Sequence, residues 1–386
     1  MTAGRPSLPR PQAATAARLA TLLLVATSLL AGIAGGLLRA GVPLPAPPDS
    51  VWLGQAAVAH AALMICGFLG TVIGIERAVA VKRRWAFAAP LASASAGLLM
   101  LAGHARVGAW LAVCAAASFV AVNVVVVRRQ TAAHTLLLLA GALAWLAGTL
   151  RFALADGGTS TLAWWFAFLV MTIAAERLEM TRLMRREPGA QAMLLGILAA
   201  IVTGAAASAA WPVVGGVLYG AALCLLAVWL GRFDIARRTV RAQGLSRYMA
   251  VCLLTGYLWL AVAGLAWAAT AIGLPARDAA LHALGLGFIV SMVMGHAPVI
   301  LPAVARIKLQ FGAHFYLPLA LLHLSLALRL GPGAADPAWR ALGAAGNAAA
   351  ILLFAATVVV SALRWRTRTM ATPAADDPPE PWTTPR

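Results

Sequence analysis

Two histidines, His60 and His282, stand within long apolar stretches, VWLGQAAVAHAALMICGFLGTVIG and DAALHALGLGFIVSMVMGHAPVILPAV. An imidazole inside the hydrocarbon of a membrane is costly to bury and usually serves a function. Histidine is a common axial ligand of haem iron, and two imidazoles on one iron give a six-coordinate site suited to electron transfer. The pair therefore predicts a noncovalently bound b-type haem with these two residues as its axial ligands. An open position on the same iron would instead bind a diatomic gas.

Glycines follow both histidines along their predicted helices. Gly67 comes after His60 and Gly285 comes after His282, with further glycine and serine residues beyond them. Helix faces with so little side-chain bulk leave room for a flat macrocycle, so we predict that Gly67 and Gly285 border the haem. Small residues at this spacing also let membrane helices pack closely against each other, and that interpretation stays open.

Two further histidines, His296 and His323, are predicted to lie near the middle of the membrane on neighbouring helices. His296 stands in GHAPVILPAV, just before Pro298 and Pro302. These two histidines are candidate ligands of a second haem or metal site. The alternative is a kinked helix in which the imidazole satisfies carbonyl groups that the prolines leave unpaired, because proline has no N–H to donate.

The helices that position these residues are predicted from the apolar pattern. Of 386 residues, 62% are hydrophobic and 11% are charged, which is typical of an all-α polytopic membrane protein. Apolar runs of about 20 residues, enough to cross a hydrocarbon core of about 30 Å, recur between short polar breaks. Twelve helices are predicted at approximately 17–39, 51–80, 86–104, 107–127, 133–154, 160–181, 191–209, 212–231, 247–271, 278–304, 312–330 and 341–363. Without the short break from Ala209 to Pro212, the count would be eleven.

The positive charge predicts the orientation of the chain. Thirty Lys+Arg against twelve Asp+Glu give a formal net charge of +18, and 22 of the 30 fall in the termini and in alternate loops. Because cytoplasmic loops carry the excess of Lys and Arg, both termini are predicted to be cytoplasmic in a cell inner membrane. The basic surface is predicted to face the anionic lipid bilayer, with no role in nucleic acid binding.

The chain is predicted to have a transmembrane domain at 17–364 with a cytoplasmic tail on either side. The tails are residues 1–16 and 365–386, and the second is predicted to be disordered.

An internal similarity links TVIGIERAVAVKRR with MTIAAERLEMTRLMRR at an offset of 100 residues, which aligns Glu76 and Arg77 with Glu176 and Arg177. One hundred residues correspond to four predicted helices. The pattern therefore favours three four-helix arcs with helices two, six and ten innermost. The alternative is that the charge rule alone produces the basic helix ends, with local ion pairs between these glutamates and arginines.

This plan resembles subunit I of the haem-copper oxidases, in which histidines on helices two and ten hold a low-spin haem. The run from His60 to Phe68, HAALMICGF, resembles the W-H-x-H-E-M-L-F-G-F-like run of the NnrS family, with one histidine in place of two. HALGLGFIVSMVM, from His282, resembles that family's H-A-L-T-x-G-A-I-G-like run. NnrS proteins are haem-containing membrane proteins linked to the nitric oxide response. The resemblance implies noncovalent haem, with nitric oxide or an electron-transfer protein as partner.

Other functions remain open at this stage. A transporter or permease would use a proline-broken helix ten as its substrate path, since broken helices and internal repeats are typical of that class. A haem or copper assembly factor would use SMVMGH, in which Met292, Met294 and a histidine supply ligands that suit Cu(I). The two methionines are two residues apart and point to different sides of a helix. No residue pattern requires a catalytic cycle, so the sequence leaves enzymatic activity undecided.

Overall fold

The structure is a computed structural model that describes residues 11–45, 47, 50–155, 159–180, 187–305 and 307–371. Within these ranges the chain forms helices and no strands. Twelve helices among the described residues are long and apolar enough to cross a membrane, which confirms the predicted all-α polytopic fold. Most of the two predicted tails, at 1–10 and 372–386, lies outside the described residues.

The membrane-spanning helices agree with the predicted ones to within a few residues at each end, except that the second begins at His60, nine residues later than predicted. In chain order, α1 to α12 are Thr21–Arg39, His60–Val81, Arg84–Leu101, Ala105–Arg129, Ala133–Ala155, Ser160–Met180, Ala190–Ala207, Pro212–Phe233, Gly244–Ala271, Arg277–Val304, Ala313–Leu330 and Pro337–Thr367. A non-helical turn at 208–211 separates α7 from α8, so the count is twelve and not eleven. The helix that contains α1 begins already at Pro11, and the last helix continues to Ala371.

Small residues allow the helices to approach each other closely. A Cβ atom on Gly220 of α8 would lie within 2.5 Å of the Gly264 carbonyl oxygen on α9, and a Cβ on Gly264 would meet Gly220 in the same way. Helices in lipid gain no hydrophobic free energy from meeting, so close van der Waals contact between backbones is a main source of their association. The glycine and alanine content of the chain therefore serves packing throughout the bundle.

Helix α6 is the centre of the bundle and α1 lies at its periphery. In the most apolar stretch of α6, 89% of the residues are buried, compared with 22% in α1. Ion pairs and hydrogen bonds join α6 to both α2 and α10, and histidine rings join α2 to α10. The three helices that the internal similarity placed innermost are therefore in mutual contact.

Helices α2 and α10 share an unusual construction. Each contains an eight-residue π-helical segment shortly after its histidine, Leu63–Gly70 in α2 and Ala283–Val290 in α10. A separate helical segment, Val51–Val58, precedes α2, and at Ala59 the backbone departs from helical geometry with φ −86° and ψ 7°. π-Helical turns are rare and are found frequently at functional sites. Both histidines therefore stand next to a local change in helix geometry.

Helix α10 differs from its prediction in one respect. The transporter alternative predicted a proline-broken helix, but Ser291–Ala305 continues as one α-helix with Pro298 and Pro302 inside it. Membrane helices tolerate such prolines because neighbouring groups satisfy the freed carbonyl groups. The structure therefore shows no unwound segment in the described part of α10.

Candidate functional site

His60 and His282 lie side by side, at the end of the bundle where α2 and α10 begin. Their ring centroids are 6.5 Å apart, and the ring planes are inclined by 27°. A metal ion bound by two imidazoles lies about 2.0–2.1 Å from each nitrogen, and with about 1.1 Å from nitrogen to ring centre this gives about 6.3 Å between centroids. The separation of the two rings is therefore close to that of a bis-imidazole metal site.

Hydrogen bonds fix which nitrogen of each ring is available. His60 Nδ1 lies 2.7 Å from the Gly32 carbonyl oxygen of α1. His282 Nδ1 lies 3.0 Å from Asp278 Oδ1 and 3.1 Å from the Asp278 carbonyl oxygen. These oxygens only accept, so in each neutral ring Nδ1–H is the donor and Nε2 carries the lone pair. This is the tautomer that binds a metal through Nε2.

An ion pair holds the carboxylate beside His282. Arg329 of α11 donates through Nε to Asp278 Oδ2 at 2.9 Å and through Nη2 to Asp278 Oδ1 at 2.8 Å. Such a two-pronged pair fixes the orientation of the carboxylate as well as its charge. Carboxylates that accept the second N–H of a histidine are a recurrent feature of metal sites, where they orient the ring and increase its basicity.

Glycines of α1 make room for the His60 ring. A Cβ atom on Gly36 would lie 2.7 Å from His60 Cε1 and 3.0 Å from His60 Nδ1. A Cβ on Gly35 would overlap the backbone of Ala56, in the segment that precedes α2. Any side chain at position 36 would therefore clash with the imidazole of His60.

A cavity extends from both histidines into the bundle. Its volume is about 150 Å³, and α1, α2, α6, α10, α11 and α12 all contribute to its walls. The walls are apolar apart from the histidines, Arg329 and Asn347, with Met64 and Phe166 among the large side chains. Binding pockets for small organic molecules and cofactors are mostly apolar, with a few polar groups that fix the orientation of the ligand. The cavity has the apolar chemistry of a cofactor site.

The residues that line the cavity recur every four positions in both helices. In α2 they are the pairs 60/61, 64/65 and 68/69, and in α10 the pairs 281/282, 285/286 and 289/290. An α-helix has 3.6 residues per turn, so a four-residue repeat would drift around its surface. A π-helical turn contains more residues and drifts in the opposite direction, so α-helical and π-helical residues in succession keep this repeat near one face. The two π-helical segments therefore align matching walls of the cavity.

The two glycines predicted to border a haem have different positions. Gly285 lines the cavity, and a Cβ there would lie 3.7 Å from the Phe166 ring, in ordinary contact. Gly67 lies outside the cavity lining, and a Cβ there would meet Ser28 Oγ of α1 at 3.0 Å. The contacts of Gly67 are those of helix packing, and its place beside a haem stays a prediction. The prediction assumed α-helical periodicity from His60, whereas the π-helical segment turns Gly67 towards α1.

His296 uses both of its ring nitrogens within the protein. Its Nδ1 lies 2.7 Å from the Met292 carbonyl oxygen, and its Nε2 lies 3.0 Å from Nη2 of Arg177. A guanidinium group only donates, so Nε2 accepts and Nδ1–H donates to the carbonyl. The partner of the imidazole is therefore the buried arginine of α6.

His323 is engaged in the same manner by α9. The indole N–H of Trp259 donates to His323 Nδ1 at 3.0 Å, and His323 Nε2 lies 3.0 Å from Thr255 Oγ1. Because Nδ1 accepts, Nε2–H is the donor to the threonine. Within the described ranges, no group of three or more His, Cys, Asp or Glu residues could hold a metal ion. A second site at His296 and His323 stays a prediction, and each ring has separate partners.

Charged residues gather at the opposite end of the three central helices. Arg77 lies 3.0 Å from Glu176 and 3.5 Å from Glu76, which agrees with the predicted local ion pairs. Arg177 is 3% exposed, and its Nη1 lies 4.0 Å from Oδ2 of Asp234, just after α8. Burial raises the pKa of Asp234 above its usual value, and the guanidinium of Arg177 opposes that shift. This cluster joins α2, α6, α8 and α10.

Sequence reasoning missed several parts of the histidine site. Asp278 lies four residues before His282, which places both on one helix face, so this spacing was a readable signal. Arg329 and Gly36 come from α11 and α1, and nothing in their local sequence indicates the contact. The π-helical segments have no known sequence signature that could have revealed them.

These features define an all-helical polytopic membrane protein with a pair of histidines beside an apolar cavity. The family model described as a domain of unknown function (DUF8744) matches residues 18–363, and the chain belongs to this family. No curated protein and no solved structure matches the chain. The matched region contains His60, His282 and all of the cavity lining.

Proposed function

We propose that this protein is an integral membrane haem-binding protein, similar to the NnrS family, that takes part in the nitric oxide response or in electron transfer. His60 and His282 would hold the haem iron through their Nε2 atoms. The observation that carries the proposal is the 6.5 Å separation of two rings whose Nδ1 atoms are both tied to oxygen acceptors.

The number and type of side chains favour haem over a bare metal ion. Structural zinc takes about four protein ligands, and the described residues bring only two imidazoles together here. A porphyrin supplies four nitrogens of its own and needs apolar walls for its faces. When bound, a haem would supply an iron that takes up or releases one electron and binds small gases. The chain would hold the iron, fix the ring orientations and exclude water.

The orientation in the membrane belongs to the same proposal. Lys82, Arg83 and Arg84 are exposed at the end of α2, opposite the histidine pair. The rule of cytoplasmic positive charge then places the haem in the outer half of an inner membrane, with both termini cytoplasmic. Cysteine labelling from outside intact cells tests this orientation. A cysteine in place of His104, between α3 and α4, should react, and one in place of Arg83 should not.

An optical spectrum of the detergent-purified protein tests haem binding. We expect a Soret band that shifts on reduction with dithionite, and we expect its loss in both His60→Ala and His282→Ala. His104→Ala is the matched control, because His104 is exposed and lies outside the membrane spans. A wild-type protein without a Soret band, after expression with sufficient haem, contradicts the proposal. So does a band that survives both substitutions unchanged.

The same purified protein also tests the two alternative functions, a transporter and a copper assembly factor. A transporter would show substrate-dependent uptake in vesicles and no haem. A copper assembly factor would show copper on metal analysis. Met292 and Met294 belong to two separate buried clusters, Met294 with Tyr248 and Cys252. This arrangement does not bring the two thioethers together on one ion.

A further inference from the structure

The two histidines of the pair are held with unequal strength. His282 is tied to Asp278, which lies four residues earlier on the same helix and is itself held by Arg329. The carboxylate, the arginine and the histidine therefore form one unit between α10 and α11. A hydrogen bond from Nδ1–H to a carboxylate makes an imidazole a stronger and better-oriented ligand.

The ring of His60 is held in place by a weaker interaction. Its Nδ1–H donates to one neutral acceptor, the carbonyl oxygen of Gly32, and that acceptor lies on a different helix. That helix is α1, the least buried of the twelve. One residue before His60, at Ala59, the backbone departs from helical geometry. His60 therefore depends on a peripheral helix and stands beside a local irregularity of its own.

We infer that His282 is the permanent axial ligand and that His60 is the exchangeable one, which a small neutral diatomic gas displaces. The inference rests on the proposed function and adds to it the position of the gas. In the exchange, the bond between iron and His60 Nε2 breaks and a bond between iron and the gas forms. No electron or proton is transferred.

The trans ligand of a bound gas identifies which histidine has left. Carbon monoxide serves as the probe, added to the reduced wild-type protein, to His60→Gly and to His282→Gly. The Fe–C and C–O stretching frequencies are measured by resonance Raman and infrared spectroscopy. We expect the wild-type adduct to match that of His60→Gly. A match with His282→Gly, or wild-type haem that binds no carbon monoxide, overturns the inference.

A second variant keeps the test decisive if a glycine substitution prevents haem loading. Asp278→Asn removes the carboxylate that faces His282, so the C–O frequency of the wild-type adduct should shift. Asp336→Asn is the matched control, because Asp336 is exposed and caps the start of the last helix. An unchanged frequency in Asp278→Asn overturns the inference. Protein that carries haem but fails these tests refutes the exchange alone, whereas protein without haem refutes the proposed function as well.

Discussion

Two pairs of membrane histidines have opposite hydrogen-bonding patterns in this protein. In His60 and His282, one nitrogen of each ring is tied to an oxygen and the side chain lines a cavity. In His296 and His323, both nitrogens are taken by other residues. Burial in a membrane is therefore not sufficient to identify a ligand. The number of nitrogens left without a partner separates a binding residue from a structural one.

The difference has a physical cause in the neighbours of each ring. Arg177 is buried, and a buried guanidinium needs acceptors, which His296 supplies. His323 similarly accepts the indole N–H of Trp259. No donor of that kind is paired with His60 or His282 among the described residues, and glycines leave space around the His60 ring. We therefore expect the stability of the protein to depend on His296 and His323, and haem binding to depend on His60 and His282.

The largest expected effect is that of Arg177→Leu on stability. The substitution leaves the buried Asp234 carboxylate without its counter-charge, and breaking a buried ion pair costs about 3–5 kcal/mol. Reversible unfolding in mixed micelles measures the free energy of unfolding. Because burial raises the pKa of Asp234, protonation stabilises the folded state. The loss should therefore shrink as the pH falls through the folded-state pKa.

Arg238→Leu is the matched control for this prediction. Arg238 is exposed, follows α8 as Asp234 does, and should change stability by less than about 0.5 kcal/mol. Equal losses in the two variants would mean that the Arg177 cluster has no special role in stability.

The second prediction compares His296→Ala with His282→Ala in haem-free protein. His296→Ala removes the acceptor of a buried guanidinium and should cost about 1–3 kcal/mol. His282→Ala leaves the Asp278 and Arg329 pair intact and should cost less than about 1 kcal/mol. Haem must be absent from both samples, since a bound ligand stabilises the folded state by mass action. Unfolding curves that lose equal stability would remove the distinction between the two regions.

The third prediction concerns Gly36→Ala. The added methyl group would lie 2.7 Å from His60 Cε1 and should displace the ring. Substitutions in groups that orient a metal ligand usually cost about 10–100-fold in affinity, and we expect about tenfold weaker haem binding. Haem titration followed at the Soret band measures the effect. Gly54→Ala is the control, because a Cβ on Gly54 would meet nothing within 4 Å.

The smallest expected effect is that of His323→Phe. The substitution keeps the ring but removes the acceptor of Trp259 and the donor to Thr255. Hydrogen bonds between membrane helices contribute about 0.6–1.7 kcal/mol, so the loss in stability should fall in this range. The Soret band should be unchanged. A lost or shifted band would show that His323 belongs to a haem site after all.

Much of the fold could be predicted from the sequence, because each membrane helix is defined by its own continuous stretch of residues. Each span needs about 20 apolar residues, and every backbone group within it must be bonded internally. The predicted helices therefore match the structure closely, including the short break between α7 and α8. The pairing of His60 with His282 was expected from their places on predicted helices two and ten.

Local helix geometry was not readable, and Gly67 shows the consequence. The prediction placed Gly67 beside the haem because seven residues span two α-helical turns from His60. The π-helical segment Leu63–Gly70 rotates that position towards α1, so Gly67 packs on Ser28 instead. Hydrogen bonds from residue i to i+5 depend on how the whole helix packs, and no single residue type encodes them.

The sequence by itself determined that the chain is a twelve-helix membrane protein and that His60 and His282 are unusual residues within it. Composition and the length of apolar runs decide these properties, since both can be counted on continuous stretches of the sequence. Only the tertiary structure decided which histidines keep a nitrogen available. That choice depends on residues far apart in sequence, Gly32 on α1 and Arg329 on α11 for one pair and Arg177 on α6 for the other. A hydrogen bond requires its two atoms to lie about 3 Å apart in space. The sequence of one helix does not predict which residues of other helices lie that close.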